Sequence, residues 1–460
     1  MDELGLNAVS ASLPGVVLYP TTLLLVLLML VVLIRQRRTI VKFAVFAPWI
    51  RYMASFYHQF TFLPLVAGFS TNALISSSMF VVGLAFVKRK HLFLKLLLPC
   101  YVVMFVVILS GLANHAYGGT IDTVVKFGYF VVISLAVFEA LGTVGERRMS
   151  VLLLWAFLAP AVFQMLSIAL GVKKASENDG SASFIGGYNH ESAFSIILAT
   201  CMIIASFASG LKRPARIAIF FGCLAGILLA NYRTTILAML PVVVVGFNKE
   251  LLAPFRRSHR PILVIGTLIV SVIGLLVAAW LLRDRFDSLI QAFQPWDRLM
   301  KPQYEYSEAD KQLLSARGYI WSGYIYGYLD GTAKNHLIGF GPNSWRLVFD
   351  VYAHNTLISA LYEYGPPGVL SMILLWMTML MAAIRVRHGP RISLVAAHLG
   401  FLILNMATMP HFMIEGDILY GIICGYTFHW RLRSAEAKVP AAAQPMSRRG
   451  PVPVGSAART

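Results

Sequence analysis

Charge is scarce in this chain of 460 residues: only 13% are Asp, Glu, Lys or Arg, about half the share usual in a soluble domain. With 58% hydrophobic residues beside that scarcity, a water-soluble globular enzyme is excluded and the chain belongs in a bilayer. Cysteine is scarce too. Cys100, Cys201, Cys223 and Cys424 all fall inside apolar runs without a CxxC pair, which argues against a disulfide framework and against a thiolate metal site. No Asp-x-Asp motif stands in a long polar segment, so no divalent-cation chelate is expected, and no metal or cofactor. The first 14 residues carry Asp2 and Glu3 and lack the basic region and small-residue cleavage site of a secretory signal, so they are read as mature sequence. There is no internal repeat and no pair of helices broken at matching places in two halves, which weakens a transporter reading.

What is present is a series of apolar runs near 15–34, 41–57, 62–87, 92–112, 122–142, 150–172, 192–210, 214–231, 234–247, 261–282, 364–384, 392–409 and 413–430. A helix needs roughly 17 to 25 such residues to cross the hydrocarbon core, so the expected fold is an all-α polytopic integral membrane protein of about 12–13 spans. The formal net charge of +18 could suggest nucleic acid, but Lys and Arg lie mostly in short clusters between these runs. Arg35/Arg37/Arg38, Lys88/Arg89/Lys90, Arg147/Arg148, Lys212/Arg213/Arg216, Arg256/Arg257/Arg260 and Arg385/Arg387/Arg391 each follow an odd number of crossings. All can therefore be cytoplasmic at once, and the charge reports topology rather than a nucleic-acid partner. The threading divides the chain into an N-terminal bundle (1–282), an extracytoplasmic loop (283–363), C-terminal spans (364–430) and a basic, Ala- and Pro-rich cytoplasmic tail (431–460) expected to be disordered.

The stretch 283–353 is long enough to fold over the membrane mouth, and its eight basic and eight acidic residues are not those of a positive-inside loop. Ser307 with Asp310 reads as a capping pair that starts a helix ending near Gly331. On that helix Arg317, Trp321, Tyr324 and Tyr328 recur at spacings of four, three and four and share one face. A guanidinium beside three rings suits a sugar attached to a phosphate, and the same face would also suit a helix lying in the interface. Next come HLIGFGPNSW, a Gly- and Pro-rich turn, and His354 with Asn355 at the head of a helix that Pro366 and Pro367 must interrupt. Glu363 stands nine residues beyond His354 and points away from it, so the two are not a local pair.

Only 32 residues separate Arg216 from Lys249, about 48 Å of helix for two crossings at 1.5 Å per residue. The hairpin is short, and its tip, NYRTT (231–235), holds Arg233 within the outer part of the bilayer, where a charge needs a partner or water. Arg233 is thus a candidate for binding the diphosphate of a lipid-linked donor, snorkelling being the alternative. Arg51 in the second span is a candidate of the same kind. Asn189, His190 and Glu191, entering the seventh span, could line the same cavity, as could His411 and Glu415 at the last hairpin tip.

With these residues in place, HNTLISALYEYGPPG resembles the H-N-x-x-L-x-x-L-x-E-x-G-x-x-G signature of the O-antigen ligase and polymerase superfamily. GFGPNSW resembles the Gly-rich stretch ahead of that histidine, and NYRTT the arginine-threonine element closing a short span. The resemblance covers about residues 180–385. Departures are Tyr and Thr around Arg233, and NHES where many members carry Asn-Pro-Asn. It implies a GT-C-like membrane glycosyltransferase in a bacterial inner membrane that binds undecaprenyl-diphosphate-linked glycan donor and acceptor at the periplasmic face. It further implies metal-independent, inverting transfer to a hydroxyl, with a chain-length regulator and a flippase as partners. His354 would orient or deprotonate the acceptor hydroxyl, Arg233 and Arg317 would hold the diphosphate, and Asn355 would support the histidine. Polymerisation of repeat units into an exopolysaccharide or O-antigen is favoured. Ligation of finished glycan to lipid A core and a non-enzymatic transporter are the alternatives.

Overall fold

A computed structural model describes residues 12–66, 68–175, 182–251, 301–312, 316–387 and 389–436, with a few positions between 255 and 269. Among the described residues the fold is all-α apart from two short hairpins. Among the described residues, Gly15–Ile34, Lys95–Ala113, Tyr117–Val144, Glu146–Ala169 and Thr356–Ile384 are long and apolar enough to cross a membrane. Each expected run within the described residues holds a helix over most of its length, whereas the expected tenth span (261–282) lies almost wholly outside them.

The first part of the chain folds as α1 (Gly15–Ile34), α2 (Thr39–Phe56), α3 (Thr71–Phe86), α4 (Leu98–Ala113), α5 (Tyr117–Val144), α6 (Glu146–Leu154), α7 (Leu158–Ala169), α8 (Glu191–Phe207), α9 (Arg213–Leu229) and α10 (Arg233–Leu251). The expected run 62–87 is helical only from Thr71 onward. Before it, β1 (Pro64–Val66) and β2 (Phe69–Ser70) turn through Gly68 at φ +81°, and the Ser70 hydroxyl caps α3 by accepting from the Ala73 amide. A cap follows, built of α11 (Glu308–Gln312), α12 (Arg317–Leu329) and α13 (Ala333–Ile338), and then α14 (Thr356–Ile384), α15 (Arg391–Ala407) and α16 (Ile414–Glu436). Helix α16 therefore extends into the segment expected to be a disordered tail, to Glu436.

One buried core draws on helices from both sides of the cap. At its centre α16 lies along α5, where a Cβ on Gly421 would collide with the Ile133 side chain and one on Gly425 with the Ser134 carbonyl. Small residues at such a crossing are how membrane helices gain packing where no hydrophobic drive separates protein from lipid. The α9/α10 pair is closed at its base by a two-pronged ion pair, Arg216 Nε and Nη2 each 2.7 Å from a carboxylate oxygen of Glu250. At the other end of that hairpin lies the 231–235 tip, beneath the cap.

The single helix expected from Ser307 to Gly331 is two. Ser307 does cap the first, accepting from the Asp310 amide at 3.2 Å, but Ala316 turns left-handed (φ +63°) immediately before Arg317. The break expected from Pro366 and Pro367 falls at Gly365 (φ +69°, ψ −167°), which is left-handed because the chain must turn there before two residues without amide donors. A short helix, 356–364, thus precedes the apolar remainder of α14.

Candidate functional site

His354 stands in a bend just before α14 at φ +52°, a left-handed conformation uncommon for a residue with a Cβ. Such strain costs of order 1–3 kcal/mol and persists only where the surroundings impose it. Asn355 imposes much of it. Its side-chain oxygen accepts from the Leu357 and Ile358 amides (2.9 and 3.2 Å), and its amide nitrogen donates to the Met406 carbonyl at 3.0 Å, pinning the start of α14 to α15. Asn355 is therefore a helix cap that fixes the backbone next to the histidine, and its side-chain hydrogen bonds run to backbone groups.

The His354 ring lies against Tyr352, with centroids 4.0 Å apart, and its Nδ1 is buried with no hydrogen-bond partner among the described residues. A buried nitrogen left this way costs about 1–3 kcal/mol, so an unfilled position here is notable. Burial, and then the positive charges of Arg317 and His190, lower the His354 pKa to about 4. The imidazole is neutral at physiological pH and able to accept a proton.

Those two neighbours come from different parts of the chain. Arg317 opens α12, half-buried, and its Nη2 donates to the Thr234 hydroxyl at 3.1 Å. Thr234 is adjacent to Arg233, which begins α10 with its side chain exposed, so the cap meets the hairpin tip at the residue next to Arg233. Thr235 is tied to Ser195 of α8 at 2.8 Å, anchoring the tip, while Asn231 makes its turn at φ +55°. His190 caps α8 by accepting from the Ser192 amide, and its ring stands edge-on to Tyr232 at 6.4 Å. Asn189 beside it is exposed, with its carbonyl accepting from Lys174.

Other sequence-predicted residues are otherwise engaged. Tyr324 is only 1% exposed, stacked on Phe349 at 4.1 Å, with its hydroxyl donated to the Val351 carbonyl and its pKa raised by burial. The Trp321 indole donates to the Ala353 carbonyl and the Tyr328 hydroxyl to that of His336. The aromatic face of α12 thus forms the cap's own small core rather than an open platform for a sugar, because the loop's second half folds back over it. Trp321 acts on the site indirectly by holding the residue before His354.

Arg51 is 5% exposed and bound within the bundle, to Ser55 at 2.8 Å, to Asn72, and to Glu415 at 3.3 Å, so its charge is answered inside the protein. Glu415 and His411 are buried rather than water-facing: His411 is enclosed by Phe127, Phe401 and Trp376, accepts from the Trp376 indole, and meets Asp417.

Glu363 has a structural place. Its carboxylate accepts from the Asn343 amide (2.6 Å) and the Ser359 hydroxyl (2.6 Å), and its carbonyl accepts from the Gly341 amide and the Ser110 hydroxyl. Gly339 packs on the 363–364 peptide and Gly365 on Leu337, each too close for a Cβ. The Gly-rich turn, Glu363 and the kink are one interlock.

A cavity of about 300 Å³ is lined by Lys126, His190, Asn343, Trp345, Arg346 and Tyr352 together with Met409, Phe412 and Met413, and Tyr352 joins it to the His354 ring. Nothing in the spacing of Lys126, on α5, or of Arg346, on a 3-10 turn after left-handed Asn343, marked them as neighbours. Only the antiparallel path of the bundle brings them together. Comparison of the chain with protein-family models and with curated protein sequences finds no match.

Proposed function

We propose that the protein is a periplasmic-face glycan polymerase of an inner membrane, joining undecaprenyl-diphosphate-linked repeat units into an exopolysaccharide or O-antigen. The observation that carries it is His354: neutral, backbone-strained and with an unpartnered ring nitrogen, it lies in the field of Arg317, which is itself tied to the Arg233 tip. The likeness of HNTLISALYEYGPPG to the superfamily signature supports the same choice, as do the apolar helices of the bundle.

In the reaction, the acceptor hydroxyl attacks the anomeric carbon of the donor sugar from the face opposite the diphosphate, and the bond from that carbon to the phosphate oxygen breaks. The hydroxyl proton passes to the His354 imidazole, a role worth typically 10²–10⁴-fold. Carrier diphosphate departs as an anion against Arg317 and Arg233, whose donors neutralise its growing charge. Binding that anion also offsets the guanidinium field that disfavours imidazolium, so the base strengthens when the donor is in place.

His354→Ala is expected to abolish polymer while leaving the protein at normal levels in the membrane, measured by immunoblot and by chain-length analysis of extracted glycan. Normal chain lengths would refute the base assignment. In a deletion strain, single repeat units accumulating on the carrier would mark a polymerase, and long unattached chains a ligase.

A further inference from the structure

We propose that the cavity beside His354 is a subsite for an acidic sugar, so that the glycan handled here carries a carboxylate within one sugar residue of the reacting hydroxyl. The assignment rests on the polymerase reading for its place in catalysis, but its chemistry stands on the cavity itself.

The cavity wall carries cationic side chains and no carboxylate. Lys126 is held by Asp122 at 2.7 Å, and Asp122 also accepts from the Asn343 side chain at 2.9 Å. Near His190, Glu191 is matched by Lys174 at 3.2 Å and accepts from Ser183 at 3.1 Å. Arg346 is exposed, lines the cavity and lies in the field of Asp122, which Lys126 already holds, without a salt bridge of its own among the described residues. Two cations, Lys126 and Arg346, thus line the cavity together with His190, and no carboxylate is among its lining residues.

The other walls fit a sugar. The Arg346 guanidinium lies over the Trp345 ring, 5.6 Å from its centre, and Tyr352 and Phe412 add further rings to the wall. A ring surface for the apolar face of a pyranose beside a planar, two-pronged donor for a carboxylate is the combination an uronic acid or pyruvylated sugar requires. At about 300 Å³ the space is at the small end of ligand cavities and suits one sugar residue rather than a chain. Tyr352 lines this space and lies against the His354 ring at 4.0 Å, which puts a sugar in the cavity within one residue of the imidazole.

The test is equilibrium binding of tri-galacturonate and of the matching neutral trigalactoside to the purified full-length protein in nanodiscs, with inorganic pyrophosphate as competitor. Tri-galacturonate is expected to bind at least tenfold tighter than the neutral sugar. Arg346→Gln should bring that ratio near one, Arg346→Lys should keep part of it, and His354→Ala should leave it unchanged. Equal binding of the two trisaccharides, a ratio indifferent to Arg346→Gln, or full displacement by pyrophosphate at equal concentration would overturn the acidic-sugar subsite. If the preference is absent while His354→Ala still abolishes polymer, the subsite falls and the polymerase stands. If the preference is present while His354→Ala makes normal polymer, the polymerase falls and the subsite stands as a binding site.

Discussion

Arg51 and Arg317 are both arginines set among aromatic and apolar residues, and they have opposite surroundings. Arg51 is enclosed in the bundle with a carboxylate, a hydroxyl and a side-chain amide, so its charge is neutralised by Glu415 within the fold. Arg317, at the lower edge of the cap, has one neutral hydroxyl partner, Thr234, and no carboxylate among the described residues. A cation that the fold has already matched stabilises or specifies structure, whereas one left unmatched beside a neutral, unpartnered imidazole has capacity for an anion that arrives from outside. Presence of an arginine in an apolar stretch does not separate the two cases. The partner does.

That contrast can be broken by substitution. Arg317→Lys should lower turnover by about 10²–10³-fold with the protein folded and abundant, because a point charge does not replace a planar fork on a diphosphate; normal turnover of purified lipid-linked substrate would place Arg317 with Arg51. Arg51→Met should act through stability instead, by about 3–5 kcal/mol, since Glu415 is left buried and unpaired. Thermal unfolding in detergent should show the loss, and the double change Arg51→Met with Glu415→Met should recover most of it.

A smaller effect concerns pH. With the His354 pKa lowered to about 4, activity on the acceptor should persist well below pH 6 and fall only as the solution approaches that value. Arg317→Gln removes a positive field, so the acid limb of the residual activity should move upward, though not fully to about 6.5, because burial is the larger cause and remains. Linkage has the same sign. As pH falls from about 6.5 to about 4 the unfolded chain takes up this proton first, so stability declines through that window. Thr234→Val should be mildest, a few-fold loss in turnover, since it frees Arg317 from one neutral hydrogen bond worth about 1 kcal/mol.

Much of this was legible in the sequence because apolar length and local spacing are properties of one segment at a time. The helices under the apolar runs, the short α9/α10 hairpin, the Ser307 cap and the break before Pro366 all follow from neighbours within a few turns. Tyr324 and Tyr328 share a face with Arg317, but whether that face meets a ligand or its own loop depends on how 339–353 folds back, and spacing is silent on that. Arg51 met its partner Glu415 only through helices far apart in the chain, and Lys126 and Arg346 met by the same route. Long-range juxtaposition, not residue type, is what the linear pattern withheld.

The interlock of Gly339, Gly341, Glu363 and Gly365 bears on how any activity screen of this protein should be scored. Glu363 accepts from the turn that carries Asn343, and Asn343 in turn leads to Trp345 and Arg346 at the cavity wall. Glu363→Ala would therefore silence the protein as thoroughly as His354→Ala, although no atom of Glu363 is placed to meet a sugar. An alanine scan read by product alone would count four positions of this interlock as chemistry. Paired with a protease-sensitivity readout it would sort them, the hinge-pin residues losing shape and product together and His354 losing product alone.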